Sequence, residues 1–216
     1  MATGAGQKLA LEAIVLAAGQ GSRFGGGKLT AAWGAGVLLE GALAAAFAAP
    51  VRSVTVVIGA DAEAVAAAAR DFDPRALIVH ARDYAEGMAA SLRAGIASLP
   101  SDAEGVFVFL GDMPRVPPPL LRKMAGALYE GALAAAPVYR GRRGNPVLLS
   151  RELFPQLLAL TGDAGARGVL QGLGEKLALV ESPDDGVLFD VDTQDDLLPS
   201  EPSSHGRLKG DTGDPS

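Results

Sequence analysis

Leu11-Glu12-Ala13-Ile14-Val15-Leu16-Ala17-Ala18-Gly19-Gln20-Gly21-Ser22-Arg23-Phe24-Gly25-Gly26-Gly27-Lys28 is the stretch from which the fold is read. Leu11–Ala18 is a short apolar run of the kind that forms a buried strand, and five glycines follow it before Lys28. In open α/β sheets ligands gather at the carboxyl ends of strands. Glycine lets a backbone curl closely round a ligand and turn several N–H groups inward as an anion nest. Arg23 and Lys28 place two cations on the same loop, a combination suited to a triphosphate.

Outward from this loop, apolar runs alternate with alanine-rich helical stretches. Leu38–Ala49 reads as a helix stopped at Pro50, and Val51–Ile58 as a β-branched strand. Asp61 suits the N-cap of a helix over Ala62–Arg70. Leu77–Ala81 follows as a strand, Met88–Leu99 as a helix and Val106–Leu110 as a buried strand. Pro117–Glu130 is a helix with proline where its missing N–H costs least. Leu133–Tyr139 and Pro146–Leu149 read as strands either side of an Arg/Gly turn, and Glu152–Leu160 and Gly165–Leu173 as helices. Leu177–Glu181 and Val187–Val191 complete the sheet. Alternating strands and helices call for a mostly parallel sheet with helices on both faces, and the later segments for added antiparallel strands. One domain over 1–198 is expected, with a tail over 199–216 that is almost devoid of apolar residues and expected to be disordered.

Composition narrows the function. The chain has 216 residues, 49% hydrophobic and 20% charged, with 19 Lys and Arg against 25 Asp and Glu. So acidic a chain lacks the basic field of a nucleic-acid binder. The absence of cysteine excludes disulfides, thiolate zinc sites, iron–sulfur clusters and cysteine nucleophiles. No apolar run approaches the roughly 20 residues of a membrane span, and no signal peptide is visible, so a cytoplasmic location is expected. His80 and His205 have no metal-spaced or triad partner and receive no role.

Two phosphate motifs fail on the glycine loop. A Walker A loop would need glycine at Ser22 and Ser or Thr at Leu29, and the dinucleotide fingerprint would need its third glycine at Phe24. The same residues also suit a flexible turn with incidental cations; the place after the first strand favours phosphate. Two acidic segments stand at other strand ends. Gly111-Asp112-Met113-Pro114 delivers one carboxylate, which serves either as a turn residue or as a Mg²⁺ ligand, since Mg²⁺ takes one or two carboxylates and fills its other places with water and phosphate oxygens. Asp190 and Asp192, with period two, share a face if the segment is a strand; Asp192 or Thr193 equally suits a helix cap. Glu86–Arg93 opens a helix whose N–H groups and Ser91 suit a nucleotide or ordinary capping. Gly141–Leu148 is a basic turn, and Asp163 suits either a ligand or a cap.

From about Ala13 to Leu198 these motifs resemble, in order, those of the MobA-like nucleotidyltransferases. Leu16-Ala17-Ala18-Gly19 is similar to the molybdenum cofactor cytidylyltransferase branch, whereas guanylyltransferases usually carry a second glycine at position 18. The resemblance implies a Rossmann-like three-layer α/β/α fold and an Mg²⁺-dependent transfer from an NTP, CTP by this branch, to a phosphorylated acceptor such as molybdopterin, with pyrophosphate released. A molybdoenzyme would be the client. Leu16, Ala17, Ala18, Gly19, Gly21, Ser22, Gly87 and Ser91 would then hold the nucleotide, and Arg23 and Lys28 its phosphates. Asp112, with Asp192, would hold the metal, Asp190 being a weaker candidate; Arg142, Arg143, Asn145, Asp163 and Arg167 would face the acceptor. Guanylyl transfer, a sugar- or alcohol-phosphate acceptor, a nicotinamide-dependent reductase and a non-catalytic cofactor-delivery protein remain alternatives. The broken third glycine weighs against the reductase.

Overall fold

Alternation along the first strand sets up two cores. In β1 (Leu11–Ala17), Leu11, Ala13, Val15 and Ala17 face one side of the sheet and Ile14 the other, and all are buried. Glu12, also buried, is matched by Arg52 Nε donating to its Oε1 at 2.7 Å and Ser53 Oγ donating to its Oε2 at 2.6 Å. The computed structural model describes residues 9–21, 23–163 and 165–197, so Ser22 and the expected tail over 199–216 lie outside the described residues.

After β1 come the two-residue strands β2 (Ala32–Trp33) and β3 (Gly36–Val37), α1 (Leu38–Ala48), β4 (Val54–Ile58), α2 (Ala62–Phe72) and β5 (Leu77–His80). α3 (Met88–Ala97), β6 (Gly105–Leu110) and α4 (Pro118–Tyr129) follow, then β7 (Ala134–Tyr139), β8 (Arg142–Arg143) and β9 (Val147–Ser150). The short helices α5 (Phe154–Leu158) and α6 (Arg167–Gln171) lead to β10 (Leu177–Glu181). The main sheet runs β10-β7-β9-β6-β1-β4-β5, with β8 added to β7. Its β4–β5, β1–β4, β1–β6 and β7–β10 pairs are parallel, while β9 is antiparallel to both β6 and β7. Residues of α1, α2 and α4 fill the core on one face, and residues of α3, α5 and α6 the core on the other. The mostly parallel three-layer arrangement is therefore the one expected.

The chain proceeds from β1 to β4 and β5 on one side, then crosses over to lay β6 on the other side of β1. A reversal of this kind leaves a crevice beyond the carboxyl ends of the two strands that flank it. That crevice receives Ala18–Gly21 and Lys28 from the loop after β1 and Asp112 from the loop after β6.

Several expectations are corrected. β4 starts at Val54, where its register with Ala13 of β1 begins; the Arg52 and Ser53 side chains just before it bond Glu12. Val187–Val191 forms no strand: both edges of β7 are taken, by β10 and β9, and the Asp184 carboxylate accepts the Gly186 N–H at 2.9 Å to start a 3-10 turn over Asp185–Leu188. Asp190 and Asp192 thus lie on an irregular strap. Asp61 makes no side-chain cap to α2; it sits at φ 50°, in the left-handed region. The basic segment is strand β8, and the turn before it is Arg140–Gly141, both at positive φ.

Candidate active site

The glycine ribbon curls on itself before it meets anything else. The N–H groups of Phe24, Gly25 and Gly26 turn back to the Gly21 carbonyl at 2.9, 3.1 and 3.3 Å. The Gly27 N–H donates to Asp61 Oδ2 at 3.0 Å. These four donors are therefore occupied within the protein, and the backbone that faces the crevice is its earlier part. A cleft of about 490 Å³ is lined by Leu16, Ala17, Ala18, Gly19, Gln20, Gly21, Lys28 and Asp112, with Gly87, Ser91 and Asp163 opposite. Leu29, Tyr84, Ala85, Met88 and Leu110 also line it; Met88 and Leu110 stand inside the Glu86–Arg93 and Val106–Pro114 segments, whereas Tyr84 and Ala85 lie outside every motif.

Lys28 is the centre of charge. Its ammonium lies 2.7 Å from Asp112 Oδ2 and 3.7 Å from Asp192 Oδ1 and is only 12% exposed. Arg23 reaches Asp192 Oδ2 at 3.5 Å, but with an exposed side chain that adds little. The strap is tied to the end of β6 by the Val191 N–H, which donates to the Asp112 carbonyl at 3.1 Å. Asp192 is set by a turn: Asp196 Oδ2 accepts from the N–H of Asp192 at 3.0 Å, and from the N–H and hydroxyl of Thr193 at 2.7 and 2.8 Å. These bonds hold the Asp196 carboxyl below the usual carboxylate range. Desolvation, then the charges of Asp192 and Asp112, push the Asp190 carboxyl up. Among the described residues no group of three or more His, Asp or Glu side chains is arranged as a ready metal cage. Two carboxylates around one shared cation are nevertheless a donor set that Mg²⁺ accepts when phosphate oxygens and water complete its shell.

A second cavity, of about 620 Å³, shares Leu16, Met88, Leu110 and Asp163 with the first. Arg142, Arg143, Asn145, Asp163 and Arg167 all line it, together with apolar Leu92, Val108, Val147 and Leu170. Asp163 caps α3 and not α6: its Oδ1 accepts the Met88 N–H at 3.2 Å, while the Gly162 carbonyl accepts the Ala89 N–H at 3.0 Å. Gly87, at φ 116°, lies so close to Asp163 and Gly162 that a Cβ has no room. Gly87→Ala is expected to cost roughly 1–3 kcal/mol of backbone strain. In a chain of this size that is a drop of roughly 2–10 °C in Tm, read by calorimetry.

A cation and a carboxylate meeting over the switch point of a doubly wound sheet mark the class of α/β proteins that handle nucleotides at the sheet's rim. Within that class the chain belongs to the MobA-like NTP transferase family, whose model matches residues 13–178; it is a nucleotidyltransferase of that family. It is 28% identical over 191 residues to the molybdenum cofactor cytidylyltransferase of Escherichia coli strain K12, covering 88% of this chain and 94% of the relative. It is 29% identical over 193 residues to the nicotine blue oxidoreductase of Paenarthrobacter nicotinovorans, covering 85% and 93%. Among solved structures, Rv0371c of Mycobacterium tuberculosis H37Rv superposes with a TM-score of 0.76 at 29% identity, covering 88% of this chain and 96% of that one. The Rv0371c complex with manganese superposes at 0.67 and 25% identity, covering 82% and 89%. Among the described residues no helix is long and apolar enough to cross a membrane.

Proposed function

We propose that this nucleotidyltransferase moves a nucleoside monophosphate, CMP by preference, from its triphosphate to a phosphorylated acceptor of the molybdopterin type. The observation that carries this reading is the position of Lys28 between Asp112 and Asp192, with Lys28 and Asp112 lining the first cavity and Leu16, Met88, Leu110 and Asp163 common to both. Leu16–Gly21, Gly87 and Ser91 hold the nucleotide in the first cavity, and Lys28, with Arg23 at the rim, neutralises its phosphates. The acceptor's anionic end meets Arg142, Arg143 and Arg167 in the second, while Leu92, Val108 and Val147 cover its apolar part. Asp112 and Asp192 would hold a divalent cation, Mg²⁺ in the cell; when bound, it supplies charge neutralisation to the phosphate oxygens. The similarity to the E. coli cytidylyltransferase and to a manganese-bound neighbour supports both parts.

A terminal phosphate oxygen of the acceptor attacks the α-phosphorus in line. The new P–O bond forms as the bond to the β-phosphate bridging oxygen breaks, and pyrophosphate leaves with that electron pair. The protein's contribution is alignment and charge. Asp163 lines both cavities and caps α3, so it fixes the distance between donor and acceptor sites.

The test is a thermal-shift panel of the four ribonucleoside triphosphates with Mg²⁺, followed by measurement of pyrophosphate release with molybdopterin. A ligand that binds only the folded state raises its stability. A CTP-selective shift with acceptor-dependent pyrophosphate is expected. A GTP-selective shift moves the reading to guanylyl transfer. An NADH-selective shift with no response to triphosphates sinks it in favour of the chemistry named for the P. nicotinovorans relative. Arg143→Ala is expected to raise the KM for the acceptor roughly tenfold, the scale of one charge-assisted hydrogen bond, and to leave the KM for the nucleotide within about twofold.

A further inference from the structure

We infer that Arg115 is a positioning residue for the metal site, locking the Asp192 strap against the Asp112 loop without touching substrate. The proposal rests on the reading of Asp112 and Asp192 as metal ligands. Asp112 comes from the end of β6, whereas Asp192 lies on an irregular strap with no place in the sheet, so something outside the sheet's ladder must hold the two in register. Arg115 stands three residues after Asp112, and its guanidinium lies 3.7 Å above the centre of the Phe189 ring and 5.4 Å from that of Trp33. The two rings are themselves 6.0 Å apart, centre to centre. One cation therefore joins the β2–β3 hairpin, the loop after β6 and the strap.

Three further contacts run the same way. Gly186 lies against the Arg115 carbonyl with no space for a Cβ, the Val191 N–H is bonded to the Asp112 carbonyl, and Pro114 is seated on Gly41 of α1. Beneath the clamp is a small apolar core, separate from the two that flank the sheet. It is built from buried Phe24, Leu38 and Val191, with Leu29, Trp33 and Phe189 packed against it. This core supports the glycine ribbon through Phe24 and Leu29 and the strap through Phe189 and Val191. Arg115 is exposed and outside both main cores, so its removal loosens the register of the carboxylates more than it loosens the fold. Guanidinium–aromatic contacts are strong enough for their loss to show in a ligand affinity.

The test compares the wild type with Arg115→Ala, Arg115→Gln and Arg115→Lys. It measures free Mn²⁺ by electron paramagnetic resonance with CTP present, CTP binding with no metal added, turnover and Tm. Arg115→Ala and Arg115→Gln should each weaken Mn²⁺ binding and lower kcat about tenfold. CTP binding without metal should stay within about twofold and Tm within a few degrees. Arg115→Lys, which keeps a cation over the rings, should recover most of the Mn²⁺ affinity. Unchanged Mn²⁺ affinity in all three variants overturns the role, as does an equal loss in all three that tracks a fall in Tm. A wild type that binds no Mn²⁺ overturns the metal reading itself, an outcome distinct from a wild type that binds it and variants that do too.

Discussion

Asp112→Asn is expected to lower kcat by about a hundred- to ten-thousand-fold, with Tm within a few degrees of the wild type. The carboxylate is 27% exposed, its one hydrogen bond among the described side chains is to Lys28, and it anchors no element of the core. The loop it stands on is held by other means. Met113 is buried, the Gly111 N–H donates to the Leu16 carbonyl at 2.9 Å, and Val191 binds the Asp112 backbone and not its side chain. Asparagine keeps the shape and removes one charge. The loss therefore falls on the carboxylate proposed to hold the cation, a cation whose stabilisation of developing phosphate charge would amount to several kcal/mol, with every 1.4 kcal/mol worth about tenfold in rate. Turnover near that of the wild type would remove Asp112 from the chemistry.

Lys28→Met is expected to change two affinities in opposite directions. Methionine keeps much of the apolar stem and discards the ammonium. The triphosphate loses a charge-assisted contact of about 1.5–3 kcal/mol, and its affinity should fall roughly 10- to 100-fold. Asp112 and Asp192 lose the cation that lies 2.7 and 3.7 Å from their oxygens, leaving two negative charges with less to balance them. Binding of Mn²⁺ in the absence of nucleotide should therefore become tighter. An unfolded or distorted variant would lose both affinities together, so calorimetric titrations of CTP and of Mn²⁺ separate the two explanations. Parallel weakening would show that Lys28 serves the fold and not the phosphates.

Much of this site is legible in the chain because its residues stand at strand ends. An apolar run sealed on both faces leaves little choice of structure, and whatever polar residue follows it is delivered to the rim. Leu16–Gly21 with Lys28, and Asp112 after Val106–Leu110, are readable for that reason, and Arg142, Arg143, Asn145, Asp163 and Arg167 line one cavity. What stayed hidden depends on partners far along the sequence. Arg115 stacks on Phe189, Asp61 bonds to Gly27 and Asp163 caps α3 at Met88, and none of these pairings leaves a local period or motif. Asp61 shows how a local rule loses: its capping preference is real, yet its carboxylate is taken by the loop of the neighbouring strand. Val187–Val191 shows the same for strands. Its β-branched and aromatic residues favour extended structure, but β7 has no free edge, and Gly186 and Val191 are drawn instead to the end of β6.

The proposed function requires Gly19–Gly21 and Lys28 to hold a polyphosphate opposite a cation held by Asp112 and Asp192. Its most direct test is a crystal of the protein grown with CTP and Mn²⁺, with diffraction recorded at the manganese absorption edge. An anomalous peak bounded by the Asp112 and Asp192 carboxylates is expected, with the triphosphate lying along Gly19–Gly21 and one of its oxygens on Lys28. A nucleotide bound elsewhere, or a manganese peak away from both carboxylates, would contradict it.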